Sequence, residues 1–264
     1  MRDAPNVARR ARWSTRRQIV VFLLLAVALS WWAWPLTLLD PTSTALVPIG
    51  PSVAALIVAG LAGGRHEVAA LLRQLVRWRV PVVWWAVALL GPVALIGAAV
   101  LADLALGASA SRAVERPGWA VLPLLLAVRI VVGGPLGEEL GWRGFLLPRL
   151  LPRWGALGAS LVIAPLWFAF HLPVFLAGPA TGQRPPLLFL LWVVPLSVLH
   201  TWLYLRARCS VAVVIVFHGM IDTAASLLFP LFSGTDYTRL WLLLVVLTTA
   251  WAVAVVRLDP LFRR

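Results

Sequence analysis

Long apolar runs recur along the whole 264-residue chain, and only short polar segments separate them. A helix needs about 20 predominantly apolar residues to cross the roughly 30 Å hydrocarbon core of a bilayer. Hydrophobic residues make up 61% of the chain and charged residues only 12%, which is too little charge to cover the surface of a soluble domain. The sequence therefore predicts an all-α, polytopic membrane protein.

We expect about eight transmembrane helices by this length criterion. Their predicted ranges are 18–39, 45–64, 80–106, 119–147, 155–177, 186–205, 210–232 and 239–257. No internal repeat and no long linker is visible, so 18–257 is predicted to be a single transmembrane domain. It lies between a basic N-terminal segment, 1–17, and a short tail, 258–264.

All 23 basic residues are arginine, and their positions alternate with the predicted spans. Arginines cluster before the first span, after the second, fourth and sixth spans, and at the end of the chain. By the positive-inside rule, this pattern predicts that both termini are cytoplasmic. Segment 66–79 fits a short amphipathic helix on the inner leaflet. The net charge of +13 is then explained by cytoplasmic loops and anionic lipids, so no nucleic-acid partner is expected.

Three predicted spans contain ionisable residues that form a candidate site. These residues are Glu138, Glu139, Arg143, His171, His218 and Asp222. A charged side chain at bilayer depth costs roughly 2.5–3.5 kcal/mol on insertion scales, so each one calls for a function or a partner. A spacing of four residues places Glu139 beside Arg143, and His218 beside Asp222, on one helix face. Either pair could serve a purely structural role.

Glu138 points about 100° away from Glu139 and has no local partner at helical spacing. Such a buried carboxylate suits a general base or a metal ligand. Measured along the helices, its depth overlaps with the depths of His171 and His218, so we expect these groups to share one hydrated cavity. His200 is expected to reach the membrane interface near the inner end of its helix. Glycines at 133, 137 and 141 would let another helix approach closely.

The ordered motifs EELGWR, WFAFH and HGMID resemble the CPBP family of intramembrane proteases, which includes type II CAAX prenyl endopeptidases and bacteriocin-processing or immunity proteins. The family pattern is Glu-Glu-x-x-x-Arg, then Phe-x-x-x-His, then His-x-x-x-Asn or Asp. Here Trp167 replaces the phenylalanine, and Asp222 is the less usual form of the last position. The resemblance covers about 119–232 and agrees with the count of eight helices.

This resemblance implies a role for each matched residue. Glu138 would deprotonate a water molecule, and His171 would help to orient that water. Glu139 and Arg143 would support the site. His218 would face the oxyanion that develops during peptide hydrolysis.

The resemblance leaves the need for a metal open. The family is commonly described as metalloproteases, and Glu138, His171, His218 and Asp222 could hold Zn²⁺ or another divalent metal. No HExxH spacing is present, so the ligands would come from separate helices. A metal-free mechanism based on glutamate explains the same residues. Asp222 would then orient His218, because a bare carboxylate repels an oxyanion.

Together, these residues favour an intramembrane endopeptidase in a bacterial cell membrane that cuts a membrane-associated protein or peptide near the cytoplasmic side. Its expected partners are membrane lipids and the substrate, which could be a prenylated protein or a leader-type peptide. The sequence does not indicate the oligomeric state. Two alternatives are a non-proteolytic immunity or scaffold protein of the same fold, and a proton-coupled carrier. The complete set of acids and histidines argues against the first, and the lack of a repeat argues against the second.

Overall fold

The computed structural model describes residues 13–40, 45–111, 118–177 and 185–262. Helices and short helical turns account for the regular structure of these ranges, which contain no strand. The all-α prediction is therefore confirmed. The first twelve residues, the arginines at 112, 116 and 184, and the last two arginines of the tail lie outside the described residues.

Eleven α-helices follow one another along the described chain. They are α1 (Thr15–Trp31), α2 (Gly50–Gly63), α3 (Arg65–Arg73), α4 (Val82–Ala105), α5 (Leu122–Val132), α6 (Pro135–Glu139), α7 (Leu147–Phe170), α8 (Leu172–Leu176), α9 (Pro186–Arg206), α10 (Val211–Leu228) and α11 (Gly234–Leu258). A π-helical stretch, Leu140–Leu146, joins α6 to α7. Short 3₁₀ turns occur at Trp34–Leu38, Trp119–Val121, Phe229–Leu231 and Pro260–Phe262.

Six segments of the described chain are long and apolar enough to cross a membrane. They are Thr15–Leu38, Val82–Ala105, Leu122–Leu176, Pro186–Arg206, Val211–Leu231 and Gly234–Leu258. The 55-residue segment Leu122–Leu176 contains two of the predicted spans. The second predicted span is the 14-residue helix α2, which at about 1.5 Å per residue is too short to cross the hydrocarbon core. The polytopic architecture is confirmed, while the count of eight and the cytoplasmic termini stay predictions.

Two backbone breaks divide the long segment Leu122–Leu176 and position the acidic motif. Gly134 has φ +131°, a conformation that residues with a Cβ rarely adopt, and it separates α5 from α6. Gly155 has φ +61° and interrupts α7, at the residue where the fifth span was predicted to begin. The short helix α6, with Glu138 and Glu139 at its end, therefore lies between two changes of chain direction.

The start of α2 packs directly against the acidic motif. The Ser52 hydroxyl donates a hydrogen bond to the Leu136 carbonyl at 2.8 Å. A Cβ on Gly137 would lie 2.5 Å from the Pro48 oxygen, and one on Gly141 would lie 2.5 Å from the Pro51 carbonyl. The predicted close approach is thus made at these two glycines, and it comes from residues 48–51 rather than from a full span.

We expect Gly141→Ala to destabilise the protein by about 1–3 kcal/mol, because the added methyl group meets backbone atoms that cannot move aside easily. Gly97→Ala is the matched control, since nothing lies within 4 Å of the added Cβ there and alanine favours a helix. Thermal unfolding in detergent would measure both variants. Equal midpoints for the two variants would contradict the close packing of α2 on the acidic motif.

Polar contacts tie the arginine-bearing segments together at one end of the bundle, which we call the arginine-rich end. Arg149 bonds both Glu67 and Gln18. Arg77 donates to the Arg208 carbonyl at 2.6 Å. Elsewhere at this end, the Arg206 guanidinium pairs with the Asp259 carboxylate. The segments around α3, the starts of α1, α7 and α10, and the ends of α9 and α11 therefore meet there.

The predicted amphipathic segment 66–79 also lies at the arginine-rich end, but its helix, α3, ends at Arg73. Gln74 departs from the helix because its backbone and side chain bond other elements. Its carbonyl accepts from the Val211 N–H at 3.1 Å, and its side chain accepts from the Tyr204 hydroxyl at 2.8 Å. Tertiary contacts therefore shorten the helix relative to the sequence prediction.

A second set of contacts defines the opposite end of the bundle. The Ser111 N–H donates to the Leu231 carbonyl at 2.8 Å, and the Trp31 indole donates to the Phe170 carbonyl at 3.0 Å. Asp103, fully buried in the last turns of α4, pairs with Arg239 of α11. This ion pair accounts for Asp103, to which the sequence assigned no role.

Candidate active site

Three chain segments supply the candidate site. Glu138 and Glu139 end α6, which the break at Gly134 detaches from α5. His171 follows the last residue of α7, where Pro173 helps to end the helix. His218 lies midway along α10, with Asp222 one turn further on.

Glu138 is 2% exposed and finds its partners on another helix. Its Oε2 accepts a hydrogen bond of 2.7 Å from the Trp167 indole N–H, and its Oε1 lies 3.9 Å from His171 Nε2. Trp167 occupies the position at which the family pattern has phenylalanine, a residue with no N–H to donate. The departure from the pattern therefore adds a hydrogen bond that holds Glu138.

The backbone determines the orientation of the His171 ring. Its Nδ1 lies 2.8 Å from the Trp167 carbonyl, so the Nδ1–H donates and Nε2 is turned toward Glu138. The separation of 3.9 Å is too long for a direct hydrogen bond. A water molecule about 2.8 Å from both atoms would fit between Glu138 Oε1 and His171 Nε2.

Glu139 is the centre of a fully buried polar cluster behind Glu138. Its two oxygens accept bonds from Arg143 Nη1 at 3.0 and 3.1 Å, which is the ion pair that the spacing predicts. Oε1 also lies 2.8 Å from His218 Nδ1 and 3.8 Å from His200 Nε2. Glu139 is therefore bonded to both Arg143 and the His218 ring.

The Arg143 guanidinium connects the two acids through Trp167. It stacks over the Trp167 ring, 4.3 Å from the ring centre, while Trp167 itself bonds Glu138. Within the part of the chain that the structure describes, Arg143 Nε and Nη2 have no hydrogen-bond partner. A buried cation held by one carboxylate and one aromatic face makes the whole cluster sensitive to the loss of any member.

Glu139, rather than Asp222, makes the short contact that orients the His218 ring. The distance between His218 Nε2 and Asp222 Oδ2 is 3.8 Å, which is too long for a direct hydrogen bond, although the spacing places both side chains on one helix face. The short contact is instead the one from Nδ1 to Glu139. His218 therefore lies between two carboxylates, with Nε2 on the side of Asp222.

His200 is the residue that the sequence interpretation misplaced. It was expected at the membrane interface, but it is 0% exposed and lies edge-on to the rings of Trp167 and His218. Its Nδ1 bonds the Leu196 carbonyl at 2.8 Å, which leaves Nε2 on the Glu139 side. The sequence could have indicated His200 as a candidate, because it is an ionisable residue within an apolar span. Its burial, however, depends on the helices that pack around α9.

One cavity of about 400 Å³ joins these groups. Its polar wall contains Glu138, His171, His218 and Asp222. The aromatic part of its lining, which we call the aromatic wall, contains Phe189, Trp192, Phe229, Tyr237 and Trp241. Arg129 of α5 also lines the cavity. The structure thus brings together the acid and the two imidazoles that were expected to converge.

Comparison with known proteins finds relatives of this part of the chain. A model of the type II CAAX prenyl endopeptidase Rce1-like family matches residues 119–224. These residues are CAAX protease-like. The CAAX prenyl protease 2 of Methanococcus maripaludis is 30% identical over 98 residues, which cover 34% of this chain and 36% of that relative.

The family resemblance that the motifs indicated is therefore confirmed, over a segment slightly shorter than the expected 119–232. The match with the curated relative spans about a third of that protein. All six residues of the candidate site lie within the CAAX protease-like segment, and so does His200. The comparison supports the family without assigning a role to any of these residues.

The CAAX protease-like segment contains a group of residues that could bind a metal ion. Among the described residues, Glu139, His200 and His218 have ligand atoms within 4.8 Å of one another, a spacing that could bind a metal. His218 alone is shared with the four ligands that the sequence suggested. Arg143, however, already donates to both oxygens of Glu139. A divalent cation would have to displace this buried guanidinium, so the charges around the three residues oppose a metal ion.

Proposed function

We propose that this protein is an intramembrane endopeptidase that hydrolyses a peptide bond of a membrane-associated protein or peptide. The observation that supports this most strongly is the single cavity whose polar wall contains Glu138, His171 and His218. Peptide hydrolysis requires a general base, a group that orients the water and a hydrogen-bond donor for the oxyanion.

The attacking water would lie between Glu138 Oε1 and His171 Nε2. Glu138 would take a proton from this water as its oxygen attacks the carbonyl carbon of the substrate. His171 would accept the second hydrogen of the water at Nε2, because its Nδ1–H is committed to the Trp167 carbonyl. The Trp167 indole would keep the carboxylate aimed at the water through its bond to Oε2.

The negative charge that develops on the carbonyl oxygen would face His218. Two carboxylates flank this ring, and they favour a proton on both of its nitrogens. Nε2–H would then donate to the oxyanion while Nδ1–H stays on Glu139. Collapse of the tetrahedral intermediate breaks the C–N bond, and the proton held by Glu138 passes to the leaving amine. No metal is needed in this sequence of steps.

The aromatic wall of the cavity would bind the apolar part of the substrate. Phe189, Trp192 and Trp241 line the same cavity as Glu138 and Asp222. Either an apolar peptide stretch or a prenyl group, the lipid indicated by the name of the curated relative, has the chemistry to contact them. We place the protein in a cell membrane, with lipids and this substrate as its partners.

A panel of internally quenched peptides, with and without a farnesyl group, would test the proposal on the protein in proteoliposomes. We expect His171→Ala to lower the rate of cleavage at least about 100-fold, because the water loses an orienting acceptor. His66→Ala is the matched control, since His66 is exposed at the arginine-rich end and should leave the rate unchanged. The panel is repeated after dialysis against a chelator, which should not reduce cleavage. Equal rates for the wild type and both variants would remove the peptidase assignment.

A further inference from the structure

The cavity occupies the half of the bundle that is remote from the arginine-rich end. On α9 its lining begins at Phe189 and stops at Leu196, far from the arginine-rich end of that helix. On α10 its lining starts only at His218 and continues to the turn after the helix. On α11 only Tyr237 and Trp241, in the first two turns, contribute. Each of these three helices therefore presents to the cavity the part that lies toward the opposite end.

Exposure increases toward the opposite end, which locates the mouth of the cavity. Glu138 is 2% exposed and His218 is 6% exposed. The Asp222 side chain, one turn nearer the opposite end, is 31% exposed. Pro230, in the connection between α10 and α11, is exposed. The cavity thus opens between the chain connections of the opposite end.

A plug of apolar side chains closes the other direction. Leu199 and Leu203 of α9 and Val214 and Phe217 of α10 are 0–1% exposed. They lie along their helices between the site and the arginine-rich end. A peptide could not pass from that end to Glu138 without opening this packing.

The arginine distribution indicates which end faces the cytoplasm. Of the thirteen described arginines outside the candidate site, eleven lie at the arginine-rich end. Arg129 lines the cavity, and Arg239 lies at the opposite end, where it is paired with Asp103 and Asp236. The remaining sequence keeps this bias, with six arginines in 1–12 and 263–264 against three in 112–117 and 178–184. An excess of arginine marks the cytoplasmic ends of membrane helices.

We propose that the cavity opens on the non-cytoplasmic side of the membrane, so that its substrates are polypeptide segments already translocated across the membrane and still attached to it by an apolar anchor. This inference rests on the proposed function and replaces the expectation of cleavage near the cytoplasmic side. The aromatic wall would receive the end of the anchor, and the polar wall would meet the peptide that emerges from the non-cytoplasmic leaflet.

Cysteine labelling in intact bacterial cells tests the direction of the mouth. Cys209 is the single cysteine, so Cys209→Ser provides the background for one new cysteine at a time. Ser109→Cys reports on an exposed site of the opposite end, His66→Cys on an exposed site of the arginine-rich end, and Ser226→Cys on the cavity. With a membrane-impermeant maleimide, we expect Ser109→Cys and Ser226→Cys to react at least tenfold more than His66→Cys, which should react only after permeabilisation.

Reaction of His66→Cys in intact cells would overturn the orientation. Protection of Ser226→Cys, while Ser109→Cys reacts, would overturn the position of the mouth. Labelling after denaturation and the thermal unfolding midpoint control for folding of each variant. These results do not depend on hydrolysis, so they judge the inference separately from the proposed function.

The substrate class is tested by mapping new protein N-termini in cell membranes. Cells that make the wild type are compared with cells that make the Glu138→Gln variant. We expect the termini that depend on Glu138 to fall in non-cytoplasmic segments next to apolar anchors. Termini confined to cytoplasmic segments would overturn the inference. If no terminus depends on Glu138 although labelling places the mouth as proposed, the peptidase assignment fails instead.

Discussion

Replacing Glu138 by glutamine should lower peptide hydrolysis by about 10²–10⁴-fold, the usual contribution of a general base, without unfolding the protein. The amide can still accept the Trp167 hydrogen bond through its oxygen, so the local packing is preserved. It cannot take a proton from the attacking water that we propose between residue 138 and His171. Cleavage of the quenched peptides measures the rate, and thermal unfolding in detergent checks the fold.

Asp259→Asn is the matched control for this loss of one carboxylate. Asp259 lies at the arginine-rich end, where it accepts bonds from Arg206 and Trp202, remote from the cavity. Its replacement should leave the rate of hydrolysis within a factor of about two, since a surface ion pair contributes roughly 0–1 kcal/mol to stability and nothing here to the reaction. A Glu138→Gln variant as active as this control would exclude Glu138 as the base.

Replacing Arg143 by methionine should cost about 3–5 kcal/mol of stability, the largest structural effect that we expect of a single substitution in the site. The change leaves the buried Glu139 carboxylate without the cation that bonds both of its oxygens. It also removes the group stacked on Trp167. Hydrolysis should fall as well, because Glu139 sets the orientation of His218.

The double variant Glu139→Gln with Arg143→Met separates the ion pair from simple packing. Without the uncompensated carboxylate, it should recover a large part of the stability lost in Arg143→Met. Arg206→Met serves as the control, since that pair with Asp259 is partly exposed and should change stability by no more than about 1 kcal/mol. A thermal midpoint of the double variant below that of Arg143→Met would show that Glu139 is not left uncompensated in the single variant.

The sequence predicted the parts of the fold that depend on local properties. The length of each apolar run indicated membrane helices, and the boundary at Gly155 agrees with the start of the fifth predicted span. Within the second predicted span the helix α2 begins only at Gly50, after a segment that packs against the acidic motif, so it is shorter than the predicted span. Apolar composition alone cannot distinguish a crossing helix from a shorter one that packs inside the bundle.

The same distinction between local and long-range properties applies to the candidate site. The pairing of Glu139 with Arg143 follows from helical spacing and was predicted. The bonds from Trp167 to Glu138 and from His218 to Glu139 join residues 29 and 79 positions apart, so no local pattern could indicate them. His200 entered the site for the same reason, because its place against Glu139 depends on how α9 packs beside α10.

The sequence by itself determined that acids and imidazoles enter the apolar helices and that arginine marks one end of them. Both properties follow from residue type and spacing along a single helix, which neighbouring helices do not change. Only the tertiary structure decided which carboxylate faces the cavity, which one holds His218, and toward which end the cavity opens. Those outcomes depend on the angles and rotations at which separate helices pack, and these are set by contacts between residues far apart in the chain.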